Sequence, residues 1–468
     1  MKTKFMLLPI VACAALSARA DITPPPGTVE LFNGKDLSGW YGWSTRDPAE
    51  LWAMTPEERA EYKRKSIEGG LPEGKHGPEN IKAHWRVENR EIVNDGRGLY
   101  LTTDKDYRDF DLWVEYKALP DGDSGVYLRG FPQVQIWDST KGDPRGLGQD
   151  KGSGGLWNNS PGAPGKDPSK KMDKPFGEWN QFKIRMIGER VTVNFNGENV
   201  VDNAVMENYF ATKALKAAAQ AAQKAGQPPP PTPELKDPVY AKGPIQLQTH
   251  GSEIRWRNIF LREIPSDEAN RILSAGEKGF TRLDNGKDLT GWQGNAENYE
   301  VVDGAIVCKQ GKGGNLLSNE EYGDMCLRFE FKLPLAGNNG IALRAPLKGN
   351  PASEGLEIQV LDTEGYLATK GKLKEYQVHG SVYHCVGAKT GFLRPTGEWN
   401  FEEIEVRGQN IRVTLNGTTI LNTDLSKLDR SKLDPKHTPK GLDKTSGYIG
   451  FAGHNDPVAF RNIRVKRL

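Results

Sequence analysis

The phrase LFNGKDLSGW at residues 31–40 returns as LDNGKDLTGW at residues 283–292, identical at eight of ten positions. Further matches follow in the same order. HWRVENREIV (84–93) answers NYEVVDGAIV (298–307), VQIWD (134–138) answers IQVLD (358–362), and GEWNQFKI (177–184) answers GEWNFEEI (397–404). HGSEIRWRNIF (250–260) closes the first series and HNDPVAFRNIR (454–464) the second. An ordered echo at this distance is a duplicated domain, because solenoid repeats recur every 20–50 residues or so. The copies span 28–264 and 279–468, and the segment 265–278 between them reads as a short linking helix.

Within each copy, runs of five to eight residues alternate apolar and polar, rich in β-branched and aromatic side chains and broken by Gly, Asn or Asp. That is the pattern of antiparallel strands. Asn-Gly in NFNGENVV and TLNGTTIL marks tight hairpins. The expected class is all-β: two tandem β-sandwich or jelly-roll domains. The first copy carries two insertions, at 41–84 and 204–240. One holds TPEERAEYKRKSIEGG, with Thr55, Pro56 and Glu58 as a helix start. The other is Ala-rich and halted by Gly226 and QPPPPTP. Their ordinary reading is surface decoration on loops; the alternative is that they frame a cleft.

The chain begins with Lys2 and Lys4, an apolar run from Phe5 to Leu16 and the A-x-A sequence Ala18-Arg19-Ala20. This reads as a secretory leader, which makes the mature protein exported, periplasmic or secreted. The competing reading takes Ile10-Val11-Ala12-Cys13 as a lipoprotein box, but only a short apolar run precedes it. No other apolar stretch is long enough for a transmembrane segment. Removing residues 1–20 takes three of the 63 basic residues and none of the 61 acidic ones, leaving 60 against 61. Near neutrality argues against nucleic acid as a partner. Oligomeric state is not legible. Cys308 and Cys326 would pair if their strands were neighbours, which leaves Cys385 free.

Polar positions that agree between the copies identify the candidate chemistry. Glu115 answers Glu330, Arg129 answers Arg344, Asp138 answers Asp362 and His250 answers His454. In LRFEFKL, Arg328, Glu330 and Lys332 share one strand face, and in LWVEYKA so do Glu115 and Lys117. Such a charged mid-strand face is either solvated surface or the floor of a polar binding site. EIQVLD places Glu357 and Gln359 on one face and Asp362 on the other. It is similar to the E-x-D-x-x-E strand of jelly-roll β-glucanases, with Gln and Asp replacing the last two acids. A direct glycosidase needs two correctly spaced carboxyl groups, and here Gln359 stands at one position of the pattern while Asp362 has the opposite parity, which argues against that mechanism. The first copy has Gln133 where the second has Glu357. His379 and His384, in HGSVYHCVG, belong to the second copy alone; adjacency of His384 to Cys385 argues against a thiol–imidazole pair. DGDSG (121–125) would suit calcium, yet its counterpart is AGNNG, so a shared metal site there is not expected. No cofactor is implied, and a divalent cation is left open. Trp137 and Trp157 in the first copy and Tyr383 in the second are candidates for stacking on sugar.

Taken together, FNGKDLSGW, YRDFDLWVEYK, SGVYLRG, GEWNQFKI and the QTHG ending resemble the 3-keto-disaccharide hydrolase domain family over nearly the whole mature chain, twice. The resemblance implies a concanavalin A-like jelly roll and cleavage of glycosides whose sugar is oxidised at C3. It implies a general base removing the acidified C2 proton, with the glycosidic oxygen leaving by elimination before water adds. The expected catalytic residues are Glu357, His454, Arg344, Glu330, Asp362 and His379. The expected substrate-binding residues are Gln359, Tyr383, Glu115, Arg129, Asp138, His250, Trp137 and Trp157. The second copy is the expected active half. Non-catalytic carbohydrate binding is the competing reading, and a structural interaction module is a third.

Overall fold

The computed structural model describes residues 23–74, 79–231, 233 and 235–468; the expected leader lies outside these residues. Each copy folds as two antiparallel sheets, one of eight strands and one of five. In the first copy the five-stranded sheet runs, in spatial order, Trp40–Trp43, Tyr100–Thr103, Gln246–Leu247, Asp123–Leu128, Phe131–Trp137. In the second it runs Trp292–Gly294, Gly313–Tyr322, Gly447–His454, Asn338–Ala345, Leu356–Leu361. The same strand order twice is the tertiary form of the duplication.

Alternation explains the layering. Leu327, Phe329 and Phe331 point into the core of the second domain, where they meet Ile341, Ile358, Val360 and Phe451 from the facing sheet. Leu112, Val114 and Tyr116 do the same in the first domain, against Val126, Val134 and Ile136. Burying one such side chain contributes about 1.5–3 kcal/mol, which holds each register against a one-residue slip. Both Asn-Gly hairpins form with positive φ at each central residue: 49° and 95° at Asn196 and Gly197, 51° and 82° at Asn416 and Gly417. That is the geometry a two-residue turn needs to follow the strand twist.

The helix Pro56–Glu68 starts with the expected capping box between Thr55 and Glu58. The Ala-rich helix covers Tyr209–Lys224, and the linking helix covers Ser266–Leu273. Cys308 and Cys326 are both free, because the strand Ala459–Arg467 lies between theirs, and Cys385 is also free. Among the described residues, no helix is long and apolar enough to cross a membrane.

Candidate functional site

Each five-stranded sheet carries a pocket on the face turned away from its core. In the second domain Ile358 and Val360 fill the core, so the intervening parity of Leu356–Leu361 turns Glu357 and Gln359 outward. There they line a cavity of about 390 Å³ with Asn338, Tyr383, His384, Lys436, His437 and His454. Gln359 donates to the Asn338 side-chain oxygen at 2.9 Å. His454 Nε2 stands 3.7 Å from Glu357 Oε1. Glu357 is only 3% exposed, whereas His454 sits at the rim.

The imidazoles differ electrostatically. The adjacent Glu357 carboxylate raises the His454 pKa, so its charged form is favoured. Burial, and then the neighbouring His437, lower that of His384 and keep its ring neutral. His384 stacks on His437 with centroids 4.9 Å apart, and Asp434 holds His437 Nδ1 at 2.7 Å. His384 has φ +64°, a left-handed conformation costly for a β-carbon-bearing residue, and its buried Nδ1 has no partner. Strain of this kind concentrates at functional sites. The pocket thus combines a sheltered carboxylate, an imidazole shifted toward its charged form and another shifted toward its neutral form.

Several expected site residues lie elsewhere, each for a physical reason. Glu330 and Glu115 belong to the eight-stranded sheets, on the far side of the core from the pockets. Glu330 accepts from Arg461 at 2.7 Å and from Asn462 at 2.7 Å; Glu115 accepts from Arg257 at 2.6 Å and Asn258 at 2.9 Å. Asn462 and Asn258 have φ of 52° and 49°, beside register shifts in their strands. These glutamates brace a β-bulge. The mid-strand charged face is therefore a cross-strand ion-pair ladder, not a pocket floor.

Arg344 and Arg129 are buried at positive φ with guanidinium groups directed at backbone. Arg129 donates to Gly188 O and Tyr240 O and pairs with Asp109; Arg344 donates to Gly441 O and Gln409. Neither reaches a pocket. Asp362 accepts from Ala336 N and caps the helix Thr363–Thr369, while Asp138 accepts from Asp121 N and Thr140 N. Both tie the ends of a hairpin. His379 is 3% exposed, accepts from Leu361 N, and sets Nε2 2.9 Å from the fully buried Glu402. It belongs to the core beside Phe331.

In the first domain, Trp137, Trp157 and His250 line an equivalent cavity of about 260 Å³, with Asp123, Gln133, Gln135 and Arg145. Both insertions contribute, through Thr45 and Tyr209, so they frame this cleft. Asp123, Asn338, His384 and His437 were not singled out from sequence as site residues. Comparing the copies at positions 123/338 and 133/357 would have exposed the first two; nothing local marks His437.

For metals, Cys326, Glu403 and Glu405 come within reach of one another on the outer sheet. Arg328 lies 2.6 Å from Glu403 and Arg412 2.9 Å from Glu405, and burial pushes the Cys326 thiol to about 12. Arginines already occupy the charge a cation would need.

Comparison with known proteins places these features in a family. The model of the 3-keto-alpha-glucoside-1,2-lyase-like domain matches residues 27–262 and again 279–466. A protein of Bacteroides thetaiotaomicron named 3-keto-disaccharide hydrolase is 28% identical over 236 residues, covering 42% of this chain and 81% of its own. Two solved structures of candidate glycosyl hydrolases from Parabacteroides distasonis are 26% and 28% identical. Each covers 41% of this chain, with 94% and 100% of their own lengths and TM-scores of 0.36.

Proposed function

The chain belongs to the 3-keto-alpha-glucoside-1,2-lyase-like domain family, and on that premise we propose that its second domain cleaves glycosides oxidised at C3. The observation that carries this reading is the Glu357–His454 pair, a 3%-exposed carboxylate beside an imidazole whose charged form it favours.

A ketone at C3 acidifies the proton on C2. Glu357 takes that proton; the electron pair forms the C1–C2 double bond as the C1–O bond breaks; His454 delivers its proton to the departing oxygen. Water adding across the new double bond completes a hydrolysis. Lys436, Asn338 and Gln359 supply donors for the negative charge that develops on the C3 oxygen. An ordinary two-carboxylate mechanism is disfavoured, because Glu357 is the one acidic side chain lining this pocket among the described residues. The expected leader extends the proposal to export, and a mature chain beginning at Asp21 would support it.

Turnover of a C3-oxidised glucoside beside its unoxidised parent tests the reaction. Wild type should release the aglycone only from the keto compound, and Glu357→Gln should lower kcat/KM at least 100-fold, within the usual contribution of a general base. Saturable binding of both sugars with turnover of neither would overturn the reaction and leave a carbohydrate-binding protein.

A further inference from the structure

Acid and amide have changed places between the two pockets. The second domain has Asn338 on one strand and Glu357 on the next; the first has Asp123 and Gln133 at the corresponding positions. His250, the counterpart of His454, lies 3.0 Å through Nδ1 from Asp123 Oδ2. Gln135 donates to the other Asp123 oxygen at 2.9 Å, and Arg145 approaches to 3.9 Å. A carboxylate–imidazole pair is thus present in both domains, supplied from different strands. The first pocket does not lack its acid.

The walls differ more. Tyr100, Tyr127, Trp137, Trp157 and Tyr209 line the first cavity. By strand register, Tyr100 answers Asn315, Tyr127 answers Ala342, Trp137 answers Leu361 and Trp157 answers Tyr383. Tyr209 comes from the inserted helix, which the second copy lacks. Five tyrosine and tryptophan rings line this cavity, where the lining of its counterpart has Tyr383. Trp157 Nε1 and Gln248 Oε1, both buried atoms of lining residues, have no protein partner. An unmet donor and an unmet acceptor at one cavity suit a polar ligand, since leaving each unpaired costs about 1–3 kcal/mol.

We propose that the first-domain pocket is a second glycoside site, distinct from that of Glu357, which binds glycosides carrying an aromatic aglycone. The rings receive the aglycone, and Asp123, His250 and Gln135 bind sugar hydroxyls at the polar end. The choice of a C3-oxidised sugar as probe rests on the reading of the second domain; the aromatic selectivity does not.

The probes are the C3-oxidised phenyl and methyl glucosides, titrated into Glu357→Gln protein by calorimetry and by tryptophan fluorescence. The second pocket has no tryptophan in its lining, so fluorescence reports the first. Phenyl glucoside should saturate a fluorescence change and bind at two sites per chain, at least fivefold tighter than methyl glucoside at the reporting site. Trp157→Ala should weaken that site fivefold to tenfold, with Trp157→Phe restoring most of the affinity and so separating stacking from folding. Asp123→Asn should weaken it as well. Absence of a saturable change, indifference to Trp157→Ala, or equal binding of the two glucosides would overturn the proposal. Phenyl binding at the first site together with no wild-type turnover would support it while sinking the second-domain reaction.

Discussion

His454 and His384 are displaced in opposite directions from the ordinary histidine pKa near 6.5. A raised value keeps His454 protonated below it, and that charge is lost as pH rises through it. A lowered value keeps His384 neutral above it, and that neutrality is lost as pH falls through it. If both states are needed, kcat/KM should form a plateau spanning 6.5, falling on the acid side with His384 and on the alkaline side with His454. The pH profile of His454→Asn should lose the alkaline limb, and that of His384→Asn the acid one. An unchanged alkaline limb in His454→Asn would contradict the assignment. The same signs apply to stability: the Glu357–His454 contact contributes fully below 6.5 and fades as pH rises through the raised value. These two residues show what local pattern conveys. Glu357 was readable from EIQVLD by parity alone, whereas the strained, stacked surroundings of His384 come from a loop packed against residues over 50 positions away.

At the scale of elements, retained polar identity proved to mark a strand irregularity. Glu330 and Glu115 survive in both copies because a bulge turns Asn462 and Asn258 into a left-handed conformation, and the glutamate satisfies the side chains around it. Glu330→Gln keeps the shape but removes the buried one of the two carboxylates that pair with Arg461, leaving Asp267. It should lower the unfolding free energy by about 1–3 kcal/mol in denaturant titrations while leaving kcat/KM of the folded protein unchanged. A large loss of kcat/KM with normal stability would return Glu330 to the catalytic set. Strand alternation was legible throughout, since period two follows from the pleat itself. Which of the two polar faces held the pocket was not, because both sheets show polar residues at the same period.

At the scale of the whole molecule, the two domains meet through buried charge. Arg394 of the second domain approaches Asp109 of the first at 3.5 Å and donates to Asn270 of the linking helix at 2.6 Å. Asp109 also accepts from Arg129 at 2.9 Å and from Gly188 N at 3.0 Å. Gly188, at φ 57°, leaves no room for a side chain, since a Cβ would meet Asn416 O at 2.4 Å. Asp109→Ala leaves Arg129 and Arg394 buried without their shared carboxylate, a change that costs about 3–5 kcal/mol. Scanning calorimetry should then resolve two transitions where wild type shows stronger coupling. A single transition at an unchanged temperature would show that the interface is held by packing alone.

The duplication, the all-β class, the hairpins, the capped helix and the shared face of Glu357 and Gln359 followed from sequence by itself. Each rests on local rules: period two, the φ demands of Asn-Gly, and side-chain capping of backbone N–H groups. Only the tertiary structure decided which polar residues converge. Strand order brings Asp123 to His250 across 127 positions of chain (250 minus 123), and Glu357 to His454 across 97 (454 minus 357). It also sent Arg344, Glu330, Asp362 and His379 to structural posts. Convergence depends on which strands become neighbours, and that is set by burial of the whole core.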